Sequence, residues 1–310
     1  MITIVMPVYN EGKQIFNNIK TVTDYLTEQN IEHGFMLVDD GSKDDTWEQL
    51  CRVCEAYPNV SAMTLSRNFG KEAALCAGLE YASGDAVVVM DADLQHPPEV
   101  IPQMIEKWQE GYDVVEGVKS DRGKESLGSK LAALLFYRTF AKASGIDLGI
   151  ASDFKLLDKT VLDAWRDMPE TNTFFRGMSA WVGYKRYALP FEVAERAGGE
   201  TKWTLRTLIK LALQAITAYT TAPLYFVFWM GVLMFFGSFV IAIQTIIRKV
   251  MGTGGMGFPT VILLQVLIGS CCMVSLGIIG LYLSRIYDEV KRRPRFLIRQ
   301  RKGDMSIKKK

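Results

Sequence analysis

Asp91 and Asp93 stand one residue apart directly after the apolar run Val87-Val88-Val89-Met90, with Leu94-Gln95 following. Two carboxylates closing a buried strand are costly unless something positive sits between them. Hard oxygen ligands of this kind suit Mg²⁺ or Mn²⁺, which proteins bind through one or two carboxylates plus substrate phosphates. His33 and His96 are the only histidines, so histidine-based triads and nitrogen-ligated metals have little to draw on. No G-x-x-x-x-G-K-[ST] occurs, so phosphate binding is not by a P-loop. Cys51-x-x-Cys54 lies in an amphipathic pattern with Trp47 and Leu50, without a second Cys or His pair nearby. It reads as small side chains packed on a helix.

The elements that must position the aspartates alternate. Ile2–Pro7, Phe35–Val38, Val60–Leu65 and Ala86–Met90 read as short apolar strands. Helical patterns run over Gln14–Glu28, about Asp44–Ala56 and Phe69–Ala82, and Val114–Val118 reads as a further strand. Near-continuous β-branched runs separated by helices predict a mostly parallel α/β sheet covered on both faces. Ligands of such sheets bind beyond the carboxyl ends of the strands. Tyr9-Asn10-Glu11, Asp39-Asp40-Gly41-Ser42, Ser66-Arg67-Asn68 and Asp91-Ala92-Asp93 all fall there. Four polar clusters converging on one edge make a site.

The last third of the chain is different. No charged residue occurs from Leu211 to Ile247 or from Val250 to Ser284, 37 and 35 positions. A bilayer crossing needs roughly 20 apolar residues as helix, so each stretch supplies one span. Pro223 and Pro259 suit first helical turns, which places the spans near Pro223–Ile247 and Pro259–Leu283. The connector spells G-x-G-x-x-G at Gly252, Gly254 and Gly257, but a dinucleotide fingerprint needs a strand before it, and here it lies between spans. Lys202, Arg206 and Lys210 recur every four residues beside an apolar face, and direct adjacency to a span favours an interfacial helix over 201–221 on anionic lipid headgroups, with an ordinary domain helix as the alternative.

Charge supplies the orientation. The whole chain carries +2, whereas Arg285–Lys310 holds 11 Lys/Arg and 3 Asp/Glu, leaving an acidic body and a basic tail over 285–310. The positive-inside bias places that tail, and with it the domain over 1–200, on the cytoplasmic side of the cell inner membrane. The protein reads as multi-pass with both termini cytoplasmic. A near-neutral total excludes a generally basic nucleic-acid binder, and five cysteines without framework spacing exclude a disulfide scaffold.

Val5-Met6-Pro7-Val8-Tyr9-Asn10-Glu11, Val38-Asp39-Asp40-Gly41-Ser42, Ser66-Arg67-Asn68-Phe69-Gly70-Lys71 and Met90-Asp91-Ala92-Asp93-Leu94-Gln95 resemble family 2 inverting glycosyltransferases of the GT-A fold. More narrowly the chain resembles polyisoprenyl-phosphate glycosyltransferases, the group of bactoprenol glucosyltransferases and dolichol-phosphate mannose synthases. Asp153-Phe154-Lys155-Leu156-Leu157, Phe175-Arg176-Gly177 and Thr201-Lys202-Trp203 extend the likeness over nearly the whole length. The resemblance implies that Pro7, Tyr9, Glu11, Val38 and Asp40 hold the nucleoside, with Ala92 and Lys119 also on the donor. It implies that Asp91, Asp93 and Gln95 hold Mg²⁺ or Mn²⁺. Arg176, Arg196 and Lys202 would meet the acceptor phosphate, and Asp93, Asp153, Arg196 and Lys202 form the implied catalytic set. Thr201-Lys202-Trp203 departs from the usual Ser-Lys-Tyr or Ser-Lys-Trp, and Ser152-Asp153 from the usual Gly-Asp.

The expected reaction is inverting transfer of one hexose from a nucleotide sugar to polyprenyl (undecaprenyl) phosphate at the cytoplasmic face. Glucose from UDP-glucose is favoured, with N-acetylglucosamine or mannose as alternatives. A homotetramer is implied by the resemblance alone. A processive polysaccharide synthase would need more spans and a Gln-x-x-Arg-Trp motif, neither of which the chain has. A non-catalytic membrane adaptor would have no use for the intact Asp91/Asp93 pair.

Overall fold

The computed structural model describes residues 1–119, 152–168, 170, 174–192, 220–251 and 258–303. They fall into two compact units, one drawn from Met1–Trp203 with Arg293–Lys310, the other from Thr204–Arg292.

The first unit is a sheet of eight strands: β1 (Ile2–Val8), β2 (His33–Asp39), β3 (Val60–Leu65), β4 (Ala86–Val89), β5 (Val114–Lys119), β6 (Lys155–Asp158), β7 (Arg186–Phe191) and β8 (Ile298–Lys302). Its order is β7-β5-β6-β4-β1-β2-β3-β8. β1 runs parallel to both β2 and β4, and β2 parallel to β3. The strand order therefore reverses beside β1, and the crevice beyond its carboxyl end is where such sheets take ligands. β6 is antiparallel to β4 and β5, β8 is antiparallel to β3, and β7 pairs with β5 in parallel. The expected mostly parallel sheet is thus mixed toward both edges. The basic tail is more than a tail, because β8 lies inside it and covers the edge of β3.

The helices of this unit are α1 (Ile15–Glu28), α2 (Thr46–Ala56), α3 (Lys71–Tyr81), α4 (Val100–Gln109), α5 (Lys159–Arg166) and α6 (Phe175–Trp181). α1 is amphipathic and buries Ile15, Ile19, Val22 and Leu26 against the sheet. α3 is buried all round from Ala73 to Leu79, which its Ala-rich sequence permits. Gly78 lets it press on the sheet, since a Cβ there would lie 2.4 Å from Val5 Cγ1. That close approach fixes where the first turn of α3, with Lys71, stands over the strand ends.

The second unit holds α7 (Ala222–Val250) and α8 (Phe258–Val290). Both contain a stretch apolar enough to cross a membrane, with mean hydropathy 2.1 and 2.2. Phe226, Trp229, Leu233, Phe236, Val266, Leu276 and Leu283 are each about half exposed or more, an apolar surface that lipid would cover. The helices outrun the expected spans, continuing to Val250 and Val290 through charged residues. At 1.5 Å per residue the 33 residues of α8 reach about 50 Å, beyond the roughly 30 Å of a hydrocarbon core. The expected interfacial helix lies outside the described residues, apart from Thr220 and Thr221.

Candidate active site

A cavity of about 300 Å³ opens at the carboxyl edge, lined by Pro7, Val8, Tyr9, Glu11, Asp40, Asn68, Gly70, Lys71, Asp91, Ala92 and Asp93. All four polar clusters contribute to it.

The loops around it brace one another. After β1, the Asn10 N–H donates to Ser42 Oγ at 2.9 Å, and the Glu11 N–H to Thr46 Oγ1 at 2.9 Å. After β2, Asp39 accepts the Ser42 N–H at 3.0 Å and the Thr64 hydroxyl at 2.6 Å. Gly41 has φ +66°, and a Cβ there would sit 2.5 Å from the Arg67 carbonyl carbon, so only glycine lets these two loops touch. Asp40 accepts the Phe69 N–H at 2.8 Å and the Gly70 N–H at 2.9 Å with its two oxygens. Burial nevertheless pushes its carboxyl up, ahead of the lowering by those two N–H groups. Glu11 is raised too, by burial first and then by Asp93 and Asp44.

The aspartate pair follows β4. The Asp91 N–H donates to His96 Nδ1 at 3.3 Å, so that nitrogen carries no proton. His96 is itself buried and stacked on Phe154, ring centres 4.6 Å apart. Asn18 donates its side-chain amide to the Ala92 carbonyl at 2.8 Å, and the Gln95 N–H donates to Asp93 Oδ1 at 3.1 Å. Asp93 is exposed, and among the described residues no Lys or Arg pairs with it. Lys71 Nζ lies 2.6 Å from Asp91 Oδ1 and 3.1 Å from Asp153 Oδ2. Asp153, just before β6, is also gripped by Arg176 at 2.7 and 2.9 Å through two nitrogens. Burial would raise the Asp153 carboxyl, but Arg176 and then Lys71 hold it well below the usual carboxylate range.

Behind Arg176 lies a buried ionic cluster. Lys155 and Glu116 are fully buried and 3.0 Å apart, with Arg186 2.7 Å from the second Glu116 oxygen. Burial lowers the Lys155 pKa, opposed by Glu116. Lys155 also donates to Ser179 Oγ at 2.6 Å, and Ser179 donates to the Arg176 carbonyl at 3.2 Å. Glu72, next to Lys71, accepts the Phe175 N–H at 2.7 Å.

The family described as Glycosyl transferase family 2 matches residues 3–165. The chain belongs to that family. The uncharacterized glycosyltransferase YkcC of Bacillus subtilis (strain 168) is 38% identical over 97% of this chain and 94% of its own length. A prophage bactoprenol glucosyl transferase homolog of Escherichia coli (strain K12) is 36% identical over 96% of this chain and 98% of its own. The bactoprenol glucosyl transferase of Shigella phage SfV is 36% identical over 97% and 99%. Among solved structures, glucosyl-3-phosphoglycerate synthase from Mycobacterium tuberculosis, in complex with Mn²⁺, UDP-glucose and phosphoglyceric acid, gives a TM-score of 0.47 at 19% identity over 70% of this chain and 77% of that one.

As a family 2 glycosyltransferase of GT-A fold, the enzyme keeps most of its expected donor-site residues together. Pro7, Tyr9, Glu11, Asp40, Asp91, Ala92 and Asp93 share the cavity wall. Val38 does not. Its side chain is fully buried inside β2, a strand buried along its whole length, where it packs toward Gly78 of α3. Gln95 is half-buried outside the lining and meets Asp93 through its backbone. Lys119 ends β5 opposite Phe191 on β7, at the same sheet edge as the cavity. Arg196 and Lys202 lie outside the described residues. Lys71 was missed as a site residue, although its position after Gly70 at a strand-to-helix junction was a usable signal. Its partners, 20 and 82 positions along the chain, could not be read from that segment.

Proposed function

We propose that this glycosyltransferase moves one hexose, glucose from UDP-glucose, onto undecaprenyl phosphate with inversion, supplying a lipid-linked sugar for cell-envelope glycan modification. The observation that carries this reading is a cavity whose wall brings together Glu11, Asp40, Asp91, Asp93 and Lys71, with Lys71 bonded to Asp153 and Asp153 in turn to Arg176. The relatives named bactoprenol glucosyl transferase, aligned nearly end to end, support the sugar and the acceptor.

Asp91 and Asp93 fit Mg²⁺ or Mn²⁺. They are hard oxygen donors, and no third His, Cys, Asp or Glu joins them among the described residues, the ligand set of an ion completed by phosphate oxygens. Such an ion supplies Lewis-acid neutralisation of the departing diphosphate. Pro7, Tyr9, Glu11 and Asp40 bind and orient the nucleoside end. A non-bridging oxygen of the acceptor phosphate forms the new bond to the anomeric carbon as the bond to the diphosphate oxygen breaks on the opposite side. A phosphate monoester has a second pKa of roughly 6, so near neutral pH it is a dianion and needs no base. Asp153, with both oxygens already bonded to cations, positions Arg176 and Lys71 around the acceptor. Arg196 and Lys202 add positive charge at the phosphate end, and the cations of the 201–221 helix meet anionic headgroups. The active assembly is a homotetramer.

The membrane arrangement has its own support. β8 follows the second span and pairs with β3 of the domain that precedes the first. That connectivity supports a hairpin with both ends on one side, and the Lys/Arg excess after α8 favours the cytoplasm. The test is mass spectrometry of lipid products after the full-length protein meets undecaprenyl phosphate and a panel of UDP-glucose, UDP-galactose, UDP-N-acetylglucosamine and GDP-mannose. A hexose adduct with UDP-glucose is expected. An adduct with another donor reassigns the sugar, and no adduct with any donor overturns the reading.

A further inference from the structure

Among the residues lining the cavity, Glu11, Asp40, Asp91 and Asp93 are acidic and Lys71 alone is cationic. Two anionic reactants must enter this wall of carboxylates. Lys71 stands where they would meet: its ammonium touches Asp91, on the metal side, and Asp153, on the acceptor side. Its place is rigidly determined. The preceding N–H groups of Phe69 and Gly70 are held by Asp40, α3 is pinned to β1 at Gly78, and Glu72 is bonded to the Phe175 N–H. The side chain beyond that anchored backbone is a four-carbon stem, 43% exposed, ending in three donors of which Asp91 and Asp153 take two. A cation that served only to tie two loops together would not need to project into the cavity.

We infer that Lys71 is a phosphate-binding residue of the reaction, held between Asp91 and Asp153, whose ammonium would leave Asp91 for a phosphate oxygen when Asp91 serves as a metal ligand. The inference rests on the reading of Asp91 and Asp93 as the metal pair. Two like charges cannot share Asp91 at close range without strong repulsion, so ion and ammonium compete for it. Losing Asp91 costs Lys71 nothing if a phosphate oxygen replaces the carboxylate, because a charge-assisted hydrogen bond is exchanged for another of the same kind. Lys71 would thereby tie donor loading to acceptor placement. The phosphate could belong to the donor diphosphate or to the acceptor monoester, and the same chemistry serves both.

The competition predicts effects of opposite sign in one variant. In full-length Lys71→Met, Mn²⁺ titrated alone by calorimetry should bind at least threefold more tightly, since its rival for Asp91 is gone. UDP titrated in saturating Mn²⁺ should bind at least tenfold more weakly, or the KM for undecaprenyl phosphate should rise at least tenfold. The first result assigns the donor diphosphate, the second the acceptor. Lys71→Arg keeps the charge and should leave the Mn²⁺ affinity within threefold of the unaltered protein, which also guards against misfolding of the Met variant. Tighter Mn²⁺ with UDP affinity and acceptor KM both unchanged would overturn the inference, reducing Lys71 to a counter-charge. Unchanged Mn²⁺ affinity would overturn it as well. If the unaltered protein shows no Mn²⁺-dependent UDP binding, the metal reading itself fails, a separate outcome.

Discussion

Two aspartates at the same sheet edge are treated in opposite ways. Asp93 is exposed, braced by one backbone N–H, and has no cationic side chain against it among the described residues. Asp153 is 16% exposed and has both oxygens occupied by Arg176 and Lys71. The first is a charge of the kind the proposed cation would use. The second is a charge already held by two cations, an arrangement that suits the proposed role of organising its neighbours. Asp91 stands between them, sharing Lys71 with Asp153. One end of the cavity is built to be completed by ligand, the other is built in advance.

The largest effect should come from the open end. Under the proposed metal reading, Asp91→Asn or Asp93→Asn removes a ligand of the ion that would stabilise the leaving diphosphate, a contribution of several kcal/mol, and at 1.36 kcal/mol per decade this is about a thousandfold in rate. Transfer measured with saturating donor and acceptor should fall by that order, and for Asp93→Asn thermal unfolding should barely move, because among the described residues Asp93 bears no ion pair, whereas Asp91 is paired with Lys71. Excess EDTA should silence the unaltered enzyme. Full activity in EDTA would collapse the contrast between the two aspartates.

The pre-built end should answer in stability first. Removing one partner of a buried ion pair costs about 3–5 kcal/mol. Lys155→Met should come near the lower figure, because Glu116 keeps Arg186. Lys155 also supports Ser179 and, through it, the Arg176 carbonyl, so the acceptor KM should rise as well. Mn²⁺-dependent UDP binding, measured on the same preparation, should stay put. Equal losses at both ends would mean that the two halves are not independently built.

This division also marks how far the sequence could be read. The proposed donor half lies on β1 to β4, whose apolar runs are bounded by helices and end in polar clusters, so strand ends and candidate ligands were legible together. The proposed acceptor half depends on β6 and β7, and these were not. Lys155-Leu156-Leu157-Asp158 is four residues long with a charged residue at each end, and nothing local reveals that Lys155 is fully buried against Glu116, 39 positions away. Ile298-Arg299-Gln300-Arg301-Lys302 reads as solvated tail by composition and becomes a strand because β3 offers an unpaired edge. Val38 shows the converse: Asp40, two residues on and past the end of β2, reaches the cavity, whereas Val38 still lies inside the strand, buried under the close packing of α3.

A smaller effect tests whether Asp153 positions or takes a proton. Asp153→Asn leaves Arg176 and Lys71 without their shared carboxylate, so the acceptor KM should rise and kcat should fall by about ten- to a hundredfold, the range reached by misplacement alone. The pH dependence of kcat/KM should keep following the acceptor phosphate near its pKa of roughly 6. Loss of that dependence in the variant, together with no recovery at high pH on saturating acceptor, would make Asp153 a base.

The smallest effect is thermodynamic and separates the same groups by sign. Asp153 has a folded pKa well below its unfolded value, so its share of stability is present above the ordinary carboxylate pKa, near 4, and is lost as pH falls through the folded value. Glu11, Glu72 and Asp40 are raised, each by burial first, so each stabilises the fold further as pH falls through its raised value toward the ordinary one. Acidification from neutral pH should therefore first raise the thermal midpoint slightly and then, below about pH 4, lower it. Asp44 and Asp158 are depressed as well, burial being outweighed in each by bonds from Thr46 and Thr160, so part of the acid fall survives any change at Asp153. Asp153→Asn should keep the rise and flatten the fall. The measurement is the midpoint of thermal unfolding at half-unit steps from pH 7 to pH 3, for both proteins in the same detergent. Parallel curves below pH 4 would mean that the cations around Asp153 do not hold its proton off in solution, and the pre-neutralised end of the cavity would lose its distinction from the open one.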